Sequence, residues 1–154
     1  MSSLSIWSLV GNLIIEEGDD AIVAIHWSDE QASNGSPLLA EAARQLDAYF
    51  AGKLKNFDLP LCPAGSPFER QVWEQMQAIP FGETRSYGEL AATLGSAPRA
   101  VGGACGKNPI PILIPCHRVL AKGGMGGYSG AGGLKTKQTL LALEGALAPE
   151  LTLV

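Results

Sequence analysis

Residues 5–27 hold short runs of apolar residues, rich in β-branched and aromatic side chains and separated by polar and glycine positions, and this pattern predicts β-strands. Two of these stretches, residues 7–10 and 13–17, flank Gly11-Asn12, so we predict a hairpin turn at that pair. A second turn is predicted at residues 18–20, ahead of a β-rich run at residues 21–27. The pattern therefore predicts a small antiparallel sheet.

The spacing then changes to that of an amphipathic helix. After a predicted loop at residues 28–35, Ser36 is a favourable cap residue and Pro37 suits the first helical turn. We predict a helix from this point to Gly52, which is expected to end it. The apolar residues of this helix recur along one side, and they are Leu38, Leu39, Ala42, Leu46, Tyr49 and Phe50.

Helical spacing dominates the rest of the chain. Ser66 and Ser86 each stand three residues before a glutamate, which is the capping-box pattern of a helix N-terminus. Gly95 is predicted to end the second of these helices, and Ser96 is predicted to cap a third helix over residues 98–107. Two short helices around a tight turn predict a helix-turn-helix, a motif that also occurs in proteins that do not bind DNA.

The third of these helices has an unusual composition. The segment Arg99-Ala-Val-Gly-Gly-Ala-Cys-Gly106 contains three glycines, each of which costs about 1 kcal/mol relative to alanine in a helix interior. Glycines allow a helix backbone to approach another surface closely, and that compensates for the cost. Tight packing on another helix of the protein is one interpretation, and it leaves the opposite face of this helix open to a second surface.

Two further patterns concern polar residues among apolar ones. The apolar run at residues 112–114 predicts a buried strand, and Cys116 and His117 follow it directly. Towards the end of the chain, a predicted helix over residues 137–148 places Glu144 on one stripe with leucines. A carboxylate on an apolar face needs a partner such as His117, unless it lies partly exposed at the helix end.

These patterns give an α/β (α+β) fold with two domains. Residues 53–65 contain two prolines and a glycine and are predicted to be a linker, so we place a small α/β lobe at residues 1–62 and a mostly helical domain at residues 63–154. The hydrophobic content of 46% supports a packed core. No apolar run reaches the roughly 20 residues of a membrane helix, and the first residues do not resemble a secretion signal, so a cytoplasmic protein is expected.

The net charge of −4 is unevenly distributed. Residues 1–65 hold nine acidic and three basic residues, whereas residues 66–145 hold five acidic and eight basic residues. The second half therefore carries the charge that suits a phosphate backbone, although an acidic protein with scattered lysines would show similar numbers.

The Cys116-His117 pair is the strongest chemical signal. A thiolate is a nucleophile, and an imidazole has a pKa suited to producing it near neutral pH. Neighbours on an extended strand point to opposite faces, so the pair cooperates only if the chain bends there or if a water lies between them. By itself the dipeptide also fits a buried structural cysteine beside a surface histidine. The three cysteines show no disulfide or metal-ligand spacing.

The longer string around this pair is specific. Residues 108–119, NPIPILIPCHRV, resemble the active-site motif of the O6-alkylguanine-DNA alkyltransferases, which repair alkylated DNA. Further segments across residues 66–145 resemble the same family, whereas the first 60 residues resemble it only faintly, and the matching segments are 66–73, 79–87, 99–104, 128–130 and 140–145. The resemblance implies a ribonuclease-H-like N-terminal lobe and a helix-turn-helix in the C-terminal domain.

The resemblance also implies the chemistry. Cys116 is expected to accept the alkyl group irreversibly, once per chain, after His117 has deprotonated it through a water. Glu144 is expected to orient His117. Tyr87 is expected to assist rotation of the nucleotide and to hydrogen-bond the guanine. Asn108 is expected to act as a hinge between the DNA-binding helix and the nucleophile.

Binding roles follow from the same resemblance. Arg99 is expected to occupy the gap that the flipped nucleotide leaves. The other expected DNA contacts are Tyr87, Gly88, Ala100, Gly103, Lys107 and Lys122. The expected contacts to the base are Val119, Tyr128, Ser129 and Gly130. The expected partner is double-stranded DNA carrying O6-alkylguanine, bound by a monomer without a cofactor or a metal.

Two other functions compete with this interpretation. The first is a non-catalytic protein that binds alkylated DNA, of the alkyltransferase-like type, but such proteins lack the active cysteine that is present here. The second is an unrelated Cys-His hydrolase, for which the chain shows no local signature. One departure from the family pattern is that the segment between Tyr87 and Arg99 is about two residues shorter than in many relatives.

Overall fold

The computed structural model describes residues 2–121, 124–128 and 130–146, apart from the side chain of Asn34. The chain divides after Ala64 into two compact units. Within these described residues, the first unit contains a sheet and one α-helix, and the second contains four α-helices, one turn of 3₁₀ helix and two short strands. None of the helices in the described part of the chain is long and apolar enough to cross a membrane.

The sheet of the first unit is antiparallel, with the strand order β3-β2-β1-β4. Asp19 and Asp20 join β2 to β3, and both have positive φ angles of 52° and 63°. These angles are those of a type I′ hairpin turn, so the predicted second turn is confirmed. The strands are β1 Ser2–Ser8, β2 Gly11–Gly18, β3 Ala21–Trp27 and β4 Ser33–Asn34.

The first hairpin turn lies earlier than its sequence predicted. Ser8 pairs with Gly11, so Leu9 and Val10 form the turn and Gly11 already belongs to β2. The hydroxyl of Ser8 accepts from the backbone N–H of Val10 at 3.2 Å and donates to the Gly11 carbonyl at 2.7 Å. These local bonds make a tight turn from two apolar residues, which the prediction at Gly11-Asn12 did not anticipate. The predicted loop at residues 28–35 also contains the short strand β4.

The helix α1 Pro37–Phe50 begins where the sequence predicted it. The Ser36 hydroxyl accepts from the backbone N–H of Leu39 at 3.1 Å, as expected of a cap residue. Its apolar side supplies buried core residues, including Leu39, Leu46 and Tyr49. The predicted linker after this helix is hydrogen-bonded to β3. The Pro60 carbonyl accepts from the N–H of Ile22, and the N–H of Cys62 donates to the Ile22 carbonyl.

The second unit is built on helices whose starts were predicted from capping boxes. Ser66 and Ser86 both form the reciprocal pair of bonds with a glutamate three residues later. The indole N–H of Trp73 donates to the Ala104 carbonyl at 2.9 Å and so links the helix Pro67–Gln77 to the helix Pro98–Gly106. The elements are α2 Pro67–Gln77, β5 Arg85–Ser86, α3 Tyr87–Leu94, α4 Pro98–Gly106, β6 Val119–Leu120 and α5 Leu134–Leu143.

Two predicted helix boundaries were wrong. Ala97, not Ser96, precedes α4, and no side chain caps that helix. The Ser96 N–H instead donates to the Ala91 carbonyl, because Gly95 adopts a left-handed conformation that closes α3. The last helix, α5, ends at Leu143, so Glu144 lies just beyond its end rather than inside it.

Candidate active site

The segment before Cys116 is a tight buried turn, and the predicted strand at residues 112–114 was wrong. The Ile114 N–H donates to the Ile110 carbonyl at 2.9 Å, and Ile112 between them has a φ of 76°. A positive φ is costly for a β-branched residue and persists only where its surroundings enforce it. Burial of the whole segment enforces it here, since residues 110–119 are all buried.

Asn108 holds this turn together. Its side-chain N–H group donates to the Ile114 carbonyl at 2.8 Å, and its side-chain oxygen accepts from the Ile110 N–H at 2.9 Å. The side-chain amide of Asn108 thus both donates to and accepts from the backbone of the turn that leads into Cys116. A side chain with one acceptor and one donor group at this spacing is what an asparagine provides.

Cys116 begins a single turn of 3₁₀ helix, Cys116–Arg118, that leads into β6. The expected bend between Cys116 and His117 is therefore present. The side chains of all three residues of the turn are buried, and His117 has no exposed surface. Burial of two ionisable side chains next to a thiol requires partners, and these come from the end of α5.

Glu144 provides those partners. One of its carboxylate oxygens lies 2.7 Å from Nε2 of His117, and the Arg118 guanidinium donates to both oxygens at 2.8 and 3.0 Å. Nη1 of Arg118 donates to the Ile79 carbonyl at 2.7 Å. The carboxylate has no exposed side-chain surface, so the alternative of a partly exposed Glu144 was wrong and the expected contact with His117 is present.

Arg118 is a residue that the sequence reasoning missed. The sequence held a signal for it, because a glutamate among leucines needs a cation as well as a histidine to offset its burial. Because Arg118 donates to both oxygens of Glu144, this carboxylate is ionised and only accepts hydrogen bonds. The proton between Glu144 and His117 therefore resides on Nε2 of His117. His117 then presents the lone pair of Nδ1.

Burial lowers the pKa of His117 below its usual value, and the positive charges of Arg118 and Lys137 act in the same direction, while Glu144 opposes them. The neutral imidazole is therefore the resting form near neutral pH. A neutral histidine whose Nε2 is oriented by a carboxylate is suited to accept a proton at Nδ1.

A cavity of about 480 Å³ opens onto Cys116. Its walls come from α3, α4, the turn of Cys116 and residues 124–128, which we call the glycine-rich loop. The lining residues are Tyr87, Gly102, Cys105, Gly106, Cys116, Gly127 and Tyr128. The structure thus brings together Cys116, Tyr87 and Tyr128, three of the expected site residues. Cys105 of α4 also faces this cavity, and its sulfur lies 3.5 Å from that of Met76.

The helix α4 uses its small residues on more than one side. Val101 and Ala104 are buried within the unit, whereas Gly102 and Gly106 line the cavity with no atom near the place of an added Cβ. The glycines therefore keep the cavity wide along this helix. Internal packing and an open face coexist on one helix, as the composition allowed.

The cavity is a poor environment for anions. Burial raises the pKa of the Cys116 thiol, while a hydrogen bond from Asn108 and the charge of Lys137 oppose that rise. Burial likewise raises the pKa of Cys105 and that of Tyr87, each to about 12. Ionisation of Cys116 near neutral pH therefore needs help from neighbouring groups.

Lys137 of α5 is a second residue that the sequence reasoning missed. Its side chain is fully buried, and its ammonium donates to the carbonyls of Val119, Met125 and Gly127. The Val119 carbonyl, an expected contact to the base, already accepts from Lys137 at 2.7 Å and keeps one lone pair for another donor.

The outer side of α3 and α4 is exposed at the other expected DNA contacts. Arg99 is exposed, and so are Gly88, Ala100, Gly103 and Lys107. The ammonium of Lys107 lies 3.5 Å from the Glu69 carboxylate. Gly130 is half-buried, while Lys122 and Ser129 lie outside the described residues.

Family models match both units. The model described as the 6-O-methylguanine DNA methyltransferase DNA-binding domain matches residues 67–146, and the ribonuclease-like domain of the same proteins matches residues 5–63. The expected fold, with a ribonuclease-like N-terminal lobe, is thereby confirmed.

Individual relatives agree with the family models. A methylated-DNA–protein-cysteine methyltransferase of Mycolicibacterium paratuberculosis is 57% identical over 113 residues, which cover 71% of this chain and 67% of that protein. The constitutive methylated-DNA–protein-cysteine methyltransferase of Bacillus subtilis is 43% identical over 136 residues, 79% of this chain and 82% of that protein.

A solved structure of the Mycobacterium tuberculosis protein OGT in complex with DNA superposes on this chain with a TM-score of 0.84 at 38% identity. The match covers 97% of this chain and 96% of that one. Sequence, fold and the buried cysteine site agree, and the chain belongs to the 6-O-methylguanine DNA methyltransferase family.

Proposed function

We propose that this protein repairs O6-alkylguanine in double-stranded DNA by moving the alkyl group once, irreversibly, to Cys116. The observation that carries the proposal is a buried thiol at a cavity of about 480 Å³, next to a histidine whose Nε2 is bound to a buried carboxylate. Family membership supplies the substrate class, and the cavity supplies room for a base outside the duplex.

The reaction is a single displacement. The Cys116 thiolate attacks the alkyl carbon, a carbon–sulfur bond forms, and the bond between that carbon and O6 of guanine breaks. The electron pair goes to the guanine, which takes up a proton and leaves as ordinary guanine. The thioether product has no simple hydrolytic route back to the thiol, so each chain acts once.

His117 supplies the base for this step. Its Nδ1 lone pair accepts the Cys116 proton, through a water as the family resemblance implies, and the Glu144 carboxylate stabilises the imidazolium that forms. Asn108 holds the turn before Cys116 in place and donates a hydrogen bond that favours the thiolate. Burial opposes ionisation of the Cys116 thiol, which by itself would stay protonated near neutral pH. These contacts therefore favour formation of the thiolate.

Access to the buried thiol requires the damaged nucleotide to leave the duplex. Arg99 stands exposed near the start of α4 and occupies the gap in the stack, while Tyr87 at the start of α3 lines the cavity that receives the base. The raised pKa of Tyr87, caused first by burial, keeps its hydroxyl protonated and able to donate a hydrogen bond to the leaving guanine.

The test is an intact-mass measurement of the full chain after incubation with a duplex that contains one O6-methylguanine. We expect one methyl group on each chain and none after incubation with unmodified duplex. Cys116→Ala should bind the methylated duplex yet gain no mass, because the cavity and the exposed side of α4 remain. Methyl transfer to that variant, for example to Cys105, would contradict the assignment of Cys116.

The same measurement separates the competing functions. A non-catalytic binding protein would leave both the DNA and the protein mass unchanged, and a hydrolase would consume many substrate molecules per chain. Either result would reject the proposed transfer.

A further inference from the structure

The turn at residues 130–133 connects the cavity wall to α5, and nothing in the proposed reaction explains how this turn is held. Tyr128 lines the cavity, and two residues separate it from Ala131. A link this short passes a displacement of one end on to the other, because each residue spans at most about 3.6 Å. The contacts that hold the turn therefore also limit where Tyr128 lies beside the cavity.

Backbone hydrogen bonds give this turn its shape. The Gly133 N–H donates to the Gly130 carbonyl at 3.1 Å, and the Lys135 N–H donates to the Gly132 carbonyl at 3.2 Å. Gly133 directly precedes α5 and has no side chain with which to cap it. Bonds between residues three apart set the shape of a turn but not its position against the helix, so a side-chain contact is needed to fix that position.

Thr136 supplies such a contact. It is buried in the first turn of α5, and its hydroxyl donates a hydrogen bond to the carbonyl of Ala131, a residue that is itself exposed. The helix is anchored in the core of the second unit through Leu140 and Leu141, which have no exposed surface. The hydroxyl thus fastens an exposed turn to a helix that is held in place.

Gly132 fits this contact from the side of the turn. Its φ of 84° lies in the left-handed region that favours glycine, and a Cβ added to it would collide with the hydroxyl of Thr136. The missing side chain at Gly132 therefore lets the hydroxyl reach the carbonyl of the preceding Ala131. Because the two positions are matched, the contact can be broken from either one.

We propose that Thr136 is a positioning residue for the flipped base: its hydroxyl holds the turn at residues 130–133 on α5 and thereby keeps Tyr128 at the cavity. This inference rests on the proposed function, since it concerns how the same cavity receives its base. The turn before Cys116 is held separately, by Asn108. Loss of the Thr136 hydroxyl should therefore weaken binding of the base and leave the displacement at Cys116 unchanged.

The first experiment measures, by intact mass of the full chain, the rate of benzyl transfer from free O6-benzylguanine at increasing concentrations of that base. Thr136→Val keeps the shape of the side chain and removes its hydroxyl. We expect the half-saturating concentration to rise about fivefold, the effect of one neutral hydrogen bond, while the maximal rate stays that of the parent. Thr136→Ser retains the hydroxyl and should have the parent's half-saturating concentration.

The matched control is Thr139→Val. Thr139 also lies in α5, but its hydroxyl donates at 2.9 Å to the Lys135 carbonyl within the helix and is exposed, so this variant should react as the parent does. The proposal is overturned if Thr136→Val shows the half-saturating concentration of the parent, whether or not its maximal rate falls. Failure of the parent itself to take up a benzyl group would instead reject the proposed function.

A second variant breaks the same contact from the turn and leaves Thr136 in place. Gly132→Ala should displace the turn from the hydroxyl and raise the half-saturating concentration. Gly52→Ala is its control, because Gly52 has a similar φ of 75° with open space around it and lies in the first unit, so the parent's kinetics are expected. A Gly132→Ala chain with the parent's half-saturating concentration would overturn the proposal, even if Thr136→Val fails to fold.

The two changes together test whether they act through one contact. In the chain that combines Gly132→Ala with Thr136→Val, the rise in half-saturating concentration should be smaller than the product of the two single rises, since a contact can be lost only once. A rise equal to that product would mean that the two positions act independently, and it would overturn the proposal.

Discussion

The two units of this protein bury different kinds of side chain. In the first unit all nine acidic and three basic residues are at least partly exposed, and its core consists of residues such as Leu13, Ile15 and Leu46. The second unit buries His117, Arg118, Lys137 and Glu144. Burial of charge opposes folding unless partners offset it, so four such residues around one thiol indicate where this protein uses structure for chemistry.

The largest expected effect tests the carboxylate in the second unit. Glu144→Gln keeps the shape of the side chain but leaves the Arg118 guanidinium buried without its anion, which typically costs about 3–5 kcal/mol of unfolding free energy. Hydrogen exchange, resolved to each unit, measures this loss. The reaction with O6-benzylguanine should also slow at pH 7 and recover partly at higher pH, because the imidazolium of His117 loses its stabilising charge.

A matched control for that change is Glu41→Gln in the first unit. Glu41 also forms a bidentate pair with an arginine, Arg44, but the pair is exposed, and such pairs contribute little. The comparison fails if Glu41→Gln destabilises its unit as much as Glu144→Gln does. If Glu144→Gln folds normally and reacts at the parent rate from pH 6 to pH 9, Glu144 has no part in activating Cys116.

A core substitution in the first unit should show the opposite pattern. Leu46 has no exposed surface, so Leu46→Ala should lower the unfolding free energy of that unit by about 2–5 kcal/mol through lost burial and the cavity left behind. Its rate with O6-benzylguanine should equal that of the parent at temperatures where it stays folded. A slower reaction of the folded variant would show that the first unit contributes to the chemistry.

A smaller effect concerns acid stability. Burial lowers the pKa of His117 from the usual 6.5, so between that value and the lowered one the unfolded chain binds more protons than the folded chain. Stability is therefore full above pH 6.5 and is lost as pH falls through this window, by at most about 1.4 kcal/mol per pH unit. Urea unfolding at several pH values should show this slope in the parent.

The slope is assigned by comparing two histidine variants. His117→Gln should flatten it, whereas His26→Gln, at an exposed position in the first unit, should leave it in place. A slope that survives the loss of His117 would place its origin elsewhere in the molecule.

The smallest effect on stability is expected at the exposed side of α4. Arg99→Ala should leave the melting temperature unchanged, because the side chain is exposed. Repair of a methylated duplex should slow about tenfold, since nothing fills the gap in the stack, while the reaction with free O6-benzylguanine should keep its rate. An equal loss on both substrates would mean that Arg99 supports the cavity rather than extrusion.

Local signals in the sequence were sufficient for most elements of the fold. The cap residues Ser36, Ser66 and Ser86 marked three helix starts correctly, because a cap depends on residues within one turn. The turn at Asp19-Asp20 was equally local. The hairpin turn at Leu9-Val10 was missed because it is formed by two apolar residues and is held by the hydroxyl of the neighbouring Ser8. The turn at Ile112 was missed because burial of its whole segment enforces a backbone conformation that is costly for a β-branched residue.

The sequence by itself determined the family, and it predicted Cys116 as the nucleophile, His117 as its base and a partner for Glu144, since these follow from a contiguous motif and from helical spacing. Only the tertiary structure decided that Arg118 shares Glu144 with His117, and that Lys137 binds Val119 and the glycine-rich loop. The physical reason is distance along the chain. A charged residue among apolar ones predicts that its side chain needs hydrogen-bonding partners. Which carbonyl, carboxylate or thiol becomes the partner depends on the segments that the fold brings within hydrogen-bonding distance.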